Sequence, residues 1–136
     1  MTHYNVVCAV VVIDDRILCM QRPEGMHVST SLKWEFPGGK IEEGETPEEA
    51  ICRELQEEMD YEVRPLRRLI KVEYEYPEFS IALDAWLCEA DTTEFTMKEH
   101  LDSRWVTLAN LDYLDWAPAD FGIIHYLQQQ GPDYLK

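Results

Sequence analysis

The chain has 136 residues, enough for one sizeable core but not two. Its 46% hydrophobic content, with four tryptophans and seven tyrosines, excludes a disordered polymer. Twelve Lys and Arg against 27 Asp and Glu leave a formal charge of −15, which argues against general binding to a nucleic acid polymer, where basic side chains supply most of the affinity.

VVCAVVVI at 6–13 is the longest apolar run and falls far short of a membrane span, so no membrane partner is expected. No basic segment precedes MTHYN, hence no signal peptide is read. Cys8, Cys19, Cys52 and Cys88 are scattered without a CxxC pair, which suits reduced, mostly buried thiols in a cytoplasmic protein. Arg64, Arg67, Arg68 and Lys71 form the one basic cluster, expected to be solvated positions on a strand or loop.

YNVVCAVVVID and RILCMQR are β-branched apolar runs split at Asp14-Asp15, a strand, turn and strand. PEGMHVSTSLK follows as a loop, and WEFPGGK as an extended piece broken by Pro37, Gly38 and Gly39. Thr46, Pro47 and Glu49 then spell a capping box with proline at the first helical position, predicting a helix from Pro47 to Met59. RRLIKVEYEY and FSIALDAWLCEA read as strands around a Pro77 turn, and SRWVTL as a further short strand. DFGIIHYLQQQ reads as a closing helix stopped by Gly131 and Pro132. The order predicts a single α+β domain over 1–136, with a mixed, largely antiparallel sheet between helices.

On a wheel at 100° per residue, Ile51, Leu55 and Met59 form the buried stripe of the central helix. Glu58 lies about 20° from Ile51, Glu54 about 60° and Glu57 about 120°, so three carboxylates line one edge and at least one is half-buried. Like charges about 4 Å apart cost about 4 kcal/mol at an effective dielectric of about 20. Arg53 lies about 100° from Glu54 on the wheel and is expected to relieve the crowding only in part. A hard cation such as Mg²⁺ or Mn²⁺, which selects carboxylate and carbonyl oxygens, fits better. Just upstream, Gly38 and Gly39 permit close backbone approach, and Lys40 can reach a phosphate as a point charge.

Together, GKIEEGETPEEAICRELQEEMDY at 39–61 resembles the Nudix box, GX5EX7REUXEEXGU, with Gly39, Glu45, Arg53, Glu54, Leu55, Glu57 and Glu58 in register. Asp60 and Tyr61 depart from it, standing where the box has glycine and an aliphatic residue. QRP at 21–23, WEFPGGK at 34–40, KEH at 98–100 and APAD at 117–120 are similar to the MutT-like branch. The resemblance implies an α/β/α sandwich with a loop–helix–loop motif, and magnesium-dependent hydrolysis of a nucleoside triphosphate to monophosphate and pyrophosphate by water attack on the β-phosphorus. Glu54, Glu57 and Glu58 match its metal ligands, the Gly38 carbonyl its backbone ligand, and Glu99 its further metal-site or water-activating acid. Arg53 matches the residue orienting the carboxylates, with Glu45 supporting it. Arg22 and Lys40 are the phosphate-binding candidates, and Glu35 and Phe36 belong to the substrate-binding set.

Asp120 stands where MutT-like relatives carry a base-reading residue, although aspartate before FGIIHYL also suits a helix N-cap. Trp34, Phe36 and Trp116 either stack on a base or fill the core. His3, His27, His100 and His125 are expected to be structural or surface residues. The leading expectation is a nucleotide-pool enzyme acting on oxidised guanine triphosphates or CTP-type substrates. Two others remain: a Nudix hydrolase of ADP-ribose, dinucleoside polyphosphate or capped RNA, and a non-catalytic nucleotide-binding regulator. Base, sugar, metal number and oligomeric state stay open.

Overall fold

The structure, a computed structural model, describes residues 1–136. Seven strands and two long helices follow in chain order: β1 (Thr2–Ile13), β2 (Arg16–Gln21), β3 (Trp34–Glu35), β4 (Gly38–Lys40), α1 (Pro47–Met59), β5 (Arg64–Glu75), β6 (Phe79–Glu89), β7 (Asp102–Thr107) and α2 (Pro118–Gln130). Short 3-10 turns cover Leu108–Tyr113 and Pro132–Leu135. The sheet runs β3-β2-β1-β6-β5, with β4 added to β1 and β7 to β2. Only β1 and β6 are parallel; the other pairs are antiparallel. The mixed, largely antiparallel sheet between helices is therefore as expected. No helix is long and apolar enough to cross a membrane.

Side-chain alternation along β1 divides the core in two. Cys8 and Val10 face α2, packing with Ala119, Ile123, Ile124 and Leu127. Val7, Ala9 and Val11 face α1, packing with Ala50, Ile51, Leu55 and Met59. A strand buried on both faces needs apolar residues at every position, which is why VVCAVVVI reads as an unbroken run. Asp14 and Asp15 close the hairpin at φ 51° and 63°, the two left-handed positions of a type I′ turn, where aspartate is better tolerated than most residues.

Thr46 caps α1 as predicted: its side chain accepts from the Glu49 amide at 3.1 Å, and the Glu49 carboxylate accepts from the Thr46 amide at 2.9 Å. At the other end Asp60 is left-handed (φ 49°, ψ 39°), and its amide donates to the Gln56 carbonyl while that of Tyr61 donates to Leu55. Tyr61 is buried rather than a blemish in the box. Its ring lies 5.4 Å from that of Phe95, and its hydroxyl donates to the Thr92 carbonyl at 2.6 Å.

Among the boundaries that differ from expectation, two have a clear consequence. β5 begins at Arg64, three residues before RRLIKVEYEY, because bulges at Pro65/Arg67 and Arg68/Ile70 interrupt the alternation without ending the pairing. α2 begins at Pro118, so Asp120 lies inside its first turn and Ala117, without a side-chain cap, precedes it. The N-cap reading of Asp120 is thereby replaced. The basic cluster is largely consumed by pairing: Arg64 bonds Glu89 and Asp91, Arg68 bonds buried Asp84, and Arg67 donates to the Tyr134 carbonyl. All four cysteines are free thiols, and Cys52 alone is exposed.

Candidate active site

The apolar stripe of α1 seats that helix on the sheet, and this puts its carboxylate edge beside β4. Here glycine is required twice. A Cβ on Gly38 would lie 1.9 Å from the Val7 carbonyl oxygen, and one on Gly39 would lie 2.4 to 2.6 Å from the Glu54 carboxylate atoms. The backbone of β4 can run directly under Glu54 only because neither residue has a side chain.

A cleft of about 710 Å³ opens at this point. Glu54, Glu58, Glu99 and Gly38 line it, together with Arg22, Glu35, Lys40, Phe36 and Asp120. Two predicted residues stand outside this wall. Glu57 is 61% exposed and bonds Arg53, and Arg53 itself sits behind the carboxylates.

Arg53 reaches both Glu54 and Glu57, and it relieves the crowding only in part, as expected, since Glu54 and Glu58 both stay raised. Its guanidinium donates twice to Glu45, at 2.6 and 2.9 Å, and once each to Glu54 at 3.1 Å, Glu57 at 3.2 Å and the Lys40 carbonyl at 3.0 Å. The wheel treats a side chain as a direction. A long arginine with a planar fork can instead turn back along the helix and collect acceptors from the preceding loop. Those hydrogen bonds hold the Glu45 carboxyl down at about 2.

Glu58 is half-buried, as expected, and its carboxyl is pushed up to about 8, first by burial and then by the charges of Glu54 and Glu99. Burial also raises Glu54, although Arg53 opposes that rise. In kind, these donors fit a hard divalent ion: all are oxygens, they repel one another, and Gly39 leaves room for Glu54 beside the backbone. They line the cleft without closing into a ready cluster of three ligands.

Asp120 is buried, and its Oδ2 accepts from the Phe36 amide at 2.9 Å, tying α2 to the β3–β4 connection. Burial, helped by the Glu35 charge, holds its carboxyl well above the ordinary carboxylate range. Trp34 and Trp116 are core residues, with the Trp116 indole donating to the Leu111 carbonyl at 2.7 Å. Phe36 packs 4.8 Å from Trp116 yet also lines the cleft. Tyr76, Phe79 and His27 add an aromatic stretch to the cleft lining, the Phe79 ring lying 4.9 Å from Tyr76 and 5.1 Å from His27. Tyr76 and Phe79 were not singled out in the sequence, where the clustered aromatics of EYEYPEF were their only signal.

His100, expected to be a structural or surface residue, has a buried side chain. Its Nε2 meets Glu35 Oε2 at 3.0 Å, and Arg22 takes the other Glu35 oxygen at 3.0 Å. Lys40 lies 4.2 Å over the Tyr4 ring. Both cationic candidates thus flank the cleft, each held by a neighbour.

A family model described as the NUDIX domain matches residues 1–127. The chain belongs to the Nudix family. Within it, the MutT-like branch is the one its relatives occupy. Across 116 residues it is 39% identical to the 8-oxo-dGTP diphosphatase of Escherichia coli K12, covering 85% of this chain and 88% of that protein. It is 30% identical over 124 residues to the CTP pyrophosphohydrolase of the same organism, covering 91% and 90%. The MutT protein of Methanosarcina mazei Go1 superposes with a TM-score of 0.83 at 22% identity, covering 99% of this chain and 97% of that one, a likeness of fold. In this Nudix chain the box residues Gly39, Glu54 and Glu58 line the cleft, and the Asp60 and Tyr61 departures lie at the helix exit, away from the cleft lining.

Proposed function

We propose that this Nudix protein hydrolyses (deoxy)nucleoside triphosphates to a nucleoside monophosphate and pyrophosphate, with Mg²⁺ as cofactor and Mn²⁺ able to replace it. The observation that carries the reading is one cleft lined both by crowded carboxylates and by a buried hydrogen-bonding carboxyl, Asp120. The first suits metal-assisted phosphate chemistry, and the second suits a base.

Glu54, Glu58, Glu99 and the Gly38 carbonyl would hold the ion, with Glu57 beside them. Bound there, a divalent ion supplies charge neutralisation of the polyphosphate and an acidified water. The chain's own groups do the rest. Arg53 fixes the Glu54 and Glu57 carboxylates through its fork to Glu45. Glu58 is crowded against Glu54 and Glu99, and a cation held among them would relieve that repulsion. Arg22 and Lys40 would bind phosphate oxygens, at the expense of the Glu35 and Tyr4 contacts they now make.

Asp120 bears on which base is read. One oxygen is committed to the Phe36 amide, leaving the other for a ligand. Protonated, the carboxyl offers a donor beside an acceptor and matches an oxidised guanine, which presents a carbonyl next to an N–H. Ionised, it only accepts and matches either the N1–H and N2–H₂ edge of guanine or the exocyclic amine of cytosine. A guanine-type base suits both forms of the carboxyl, so 8-oxo-dGTP is the first reading and CTP or dCTP the second. The identity to the E. coli 8-oxo-dGTP diphosphatase agrees with that order. A panel of normal and oxidised triphosphates, assayed with Mg²⁺ and with product identification, tests it. Release of inorganic phosphate, or preference for ADP-ribose or a dinucleoside polyphosphate, would refute the triphosphate reading.

A further inference from the structure

Glu99 belongs to no helix or strand, so something other than secondary structure must hold it opposite Glu58. Five hydrogen bonds from four residues bracket it. On the side of α1, the Thr96 amide donates to the Met59 carbonyl at 2.9 Å. Lys98 Nζ donates to Asp60 Oδ1 at 3.0 Å and to the Glu57 carbonyl at 3.3 Å. On the side of β2 and β3, His100 Nε2 meets Glu35 at 3.0 Å, and the Leu101 amide donates to the Gln21 carbonyl at 2.9 Å. The residues directly before and after Glu99 are thus tied to two different elements, the exit of α1 and β3.

We propose that Lys98–Asp60 and His100–Glu35 form a two-point clamp whose task is to place the Glu99 carboxylate against the α1 carboxylates, with Asp60, Lys98 and His100 as positioning residues. This rests on the reading of Glu99 as part of the metal and water site.

Neither anchor is explained by stability alone. The Lys98–Asp60 pair is 43% and 50% exposed, and ion pairs so open to water contribute little to folding. Asp60 holds a left-handed φ of 49°, which glycine would adopt with less strain. A carboxylate is kept there at some conformational cost, and its ion-pair partner is the lysine next to Glu99. His100 is 5% exposed, and a carboxylate only accepts, so its Nε2 is the donor to Glu35. Its Nδ1 is then buried without a partner. A ring sealed at that cost is held for the bond it makes with Glu35, and burial leaves it little freedom to let its neighbour Glu99 drift. Support of this kind typically changes activity or metal affinity by about 10- to 100-fold.

The test compares Asp60→Gly, Lys98→Met, their double variant, His100→Ala and His100→Gln with Glu99→Gln. Turnover is read with Mg²⁺, Mn²⁺ affinity by calorimetry, and amide exchange across 96–101. Asp60→Gly should keep or raise the melting temperature, yet lower kcat about tenfold with KM little changed, weaken Mn²⁺ binding and speed exchange at Thr96 and Leu101. Lys98→Met should do the same to turnover, and the double variant should be no worse than about twofold below either single change. His100→Gln, which retains a donor for Glu35, should keep more turnover than His100→Ala. Wild-type kcat and exchange in Asp60→Gly and Lys98→Met, while Glu99→Gln is slow, would overturn the clamp and leave the role of Glu99 standing. Full turnover in Glu99→Gln would remove the reading of Glu99 and the clamp with it.

Discussion

The two helices on opposite faces of the sheet are both 13 residues long, and both begin with proline, but they serve the cleft in different ways. α1 is amphipathic and closed locally at both ends, by the Thr46–Glu49 box and by left-handed Asp60. It brings several carboxylates along one edge, and Arg53 holds them in a network of ion pairs. α2 has no side-chain cap and is largely apolar; it delivers one buried carboxyl, Asp120, whose oxygen reaches across to the Phe36 amide. Under the proposed function, the contrast would separate chemistry from recognition. A helix edge exposed to a cleft can hold charge for a metal and phosphate, whereas a helix buried against the sheet can offer a base only a sparse, desolvated polar group.

The largest effect expected is on α1. Glu58→Gln should cost kcat about a thousandfold while the protein stays folded, since metal-assisted charge stabilisation is worth several kcal/mol. Glu57→Gln, at a position outside the cleft wall, should cost less. Equal losses at the two positions would show that exposure in the structure does not rank the carboxylates. Next, Arg53→Lys should lower turnover about 10- to 100-fold, because an ammonium cannot make the double bond to Glu45 and still reach Glu54. A lysine variant with normal kcat would reduce Arg53 to a charge balance.

On α2 the expected change is one of preference. Asp120→Asn should keep an acceptor for the Phe36 amide while fixing a donor beside it, so discrimination against cytosine should sharpen by about tenfold. A uniform loss over all bases would assign Asp120 to tethering α2 rather than to reading the base.

Stability should also vary with pH through Glu58. Its carboxyl is raised from the ordinary 4.5 to about 8, so between these values the folded protein holds a proton that the unfolded chain has released. Stability is therefore expected to fall as pH rises from 4.5 toward about 8, and Glu58→Gln should flatten that slope in thermal melts. Magnesium should raise the melting temperature most at the alkaline end. A smaller effect concerns the cap alone: Thr46→Ala should destabilise by about 1 kcal/mol in urea titration and leave substrate preference unchanged.

Several features were legible because they are local. The Asp14-Asp15 turn, the capping box and the apolar stripe of α1 each depend on residues within a few positions of one another, where dihedral preferences and helical period suffice. The half-burial of Glu58 followed from its place at the border of that stripe. The reach of Arg53 to the preceding loop was not legible, because the wheel takes no account of side-chain length. Tyr61 looked like a flaw in a motif until Thr92 supplied a partner for its hydroxyl. The stacking role offered to Trp34 and Trp116 failed because both sides of the sheet need large apolar residues, and a pattern of strands does not say which aromatic reaches the cleft.

By itself, the sequence determined the family, the central helix with its carboxylate edge, and the glycines that let β4 pass beneath Glu54. Those depend on short-range pattern and on residue types with few substitutes. Only the tertiary structure decided that Asp120 is buried against Phe36, that His100 is sealed beside Glu35, and that Lys98 reaches Asp60. These join positions 38 to 84 residues apart, and such meetings are set by how two helices pack on one sheet, which no local periodicity encodes.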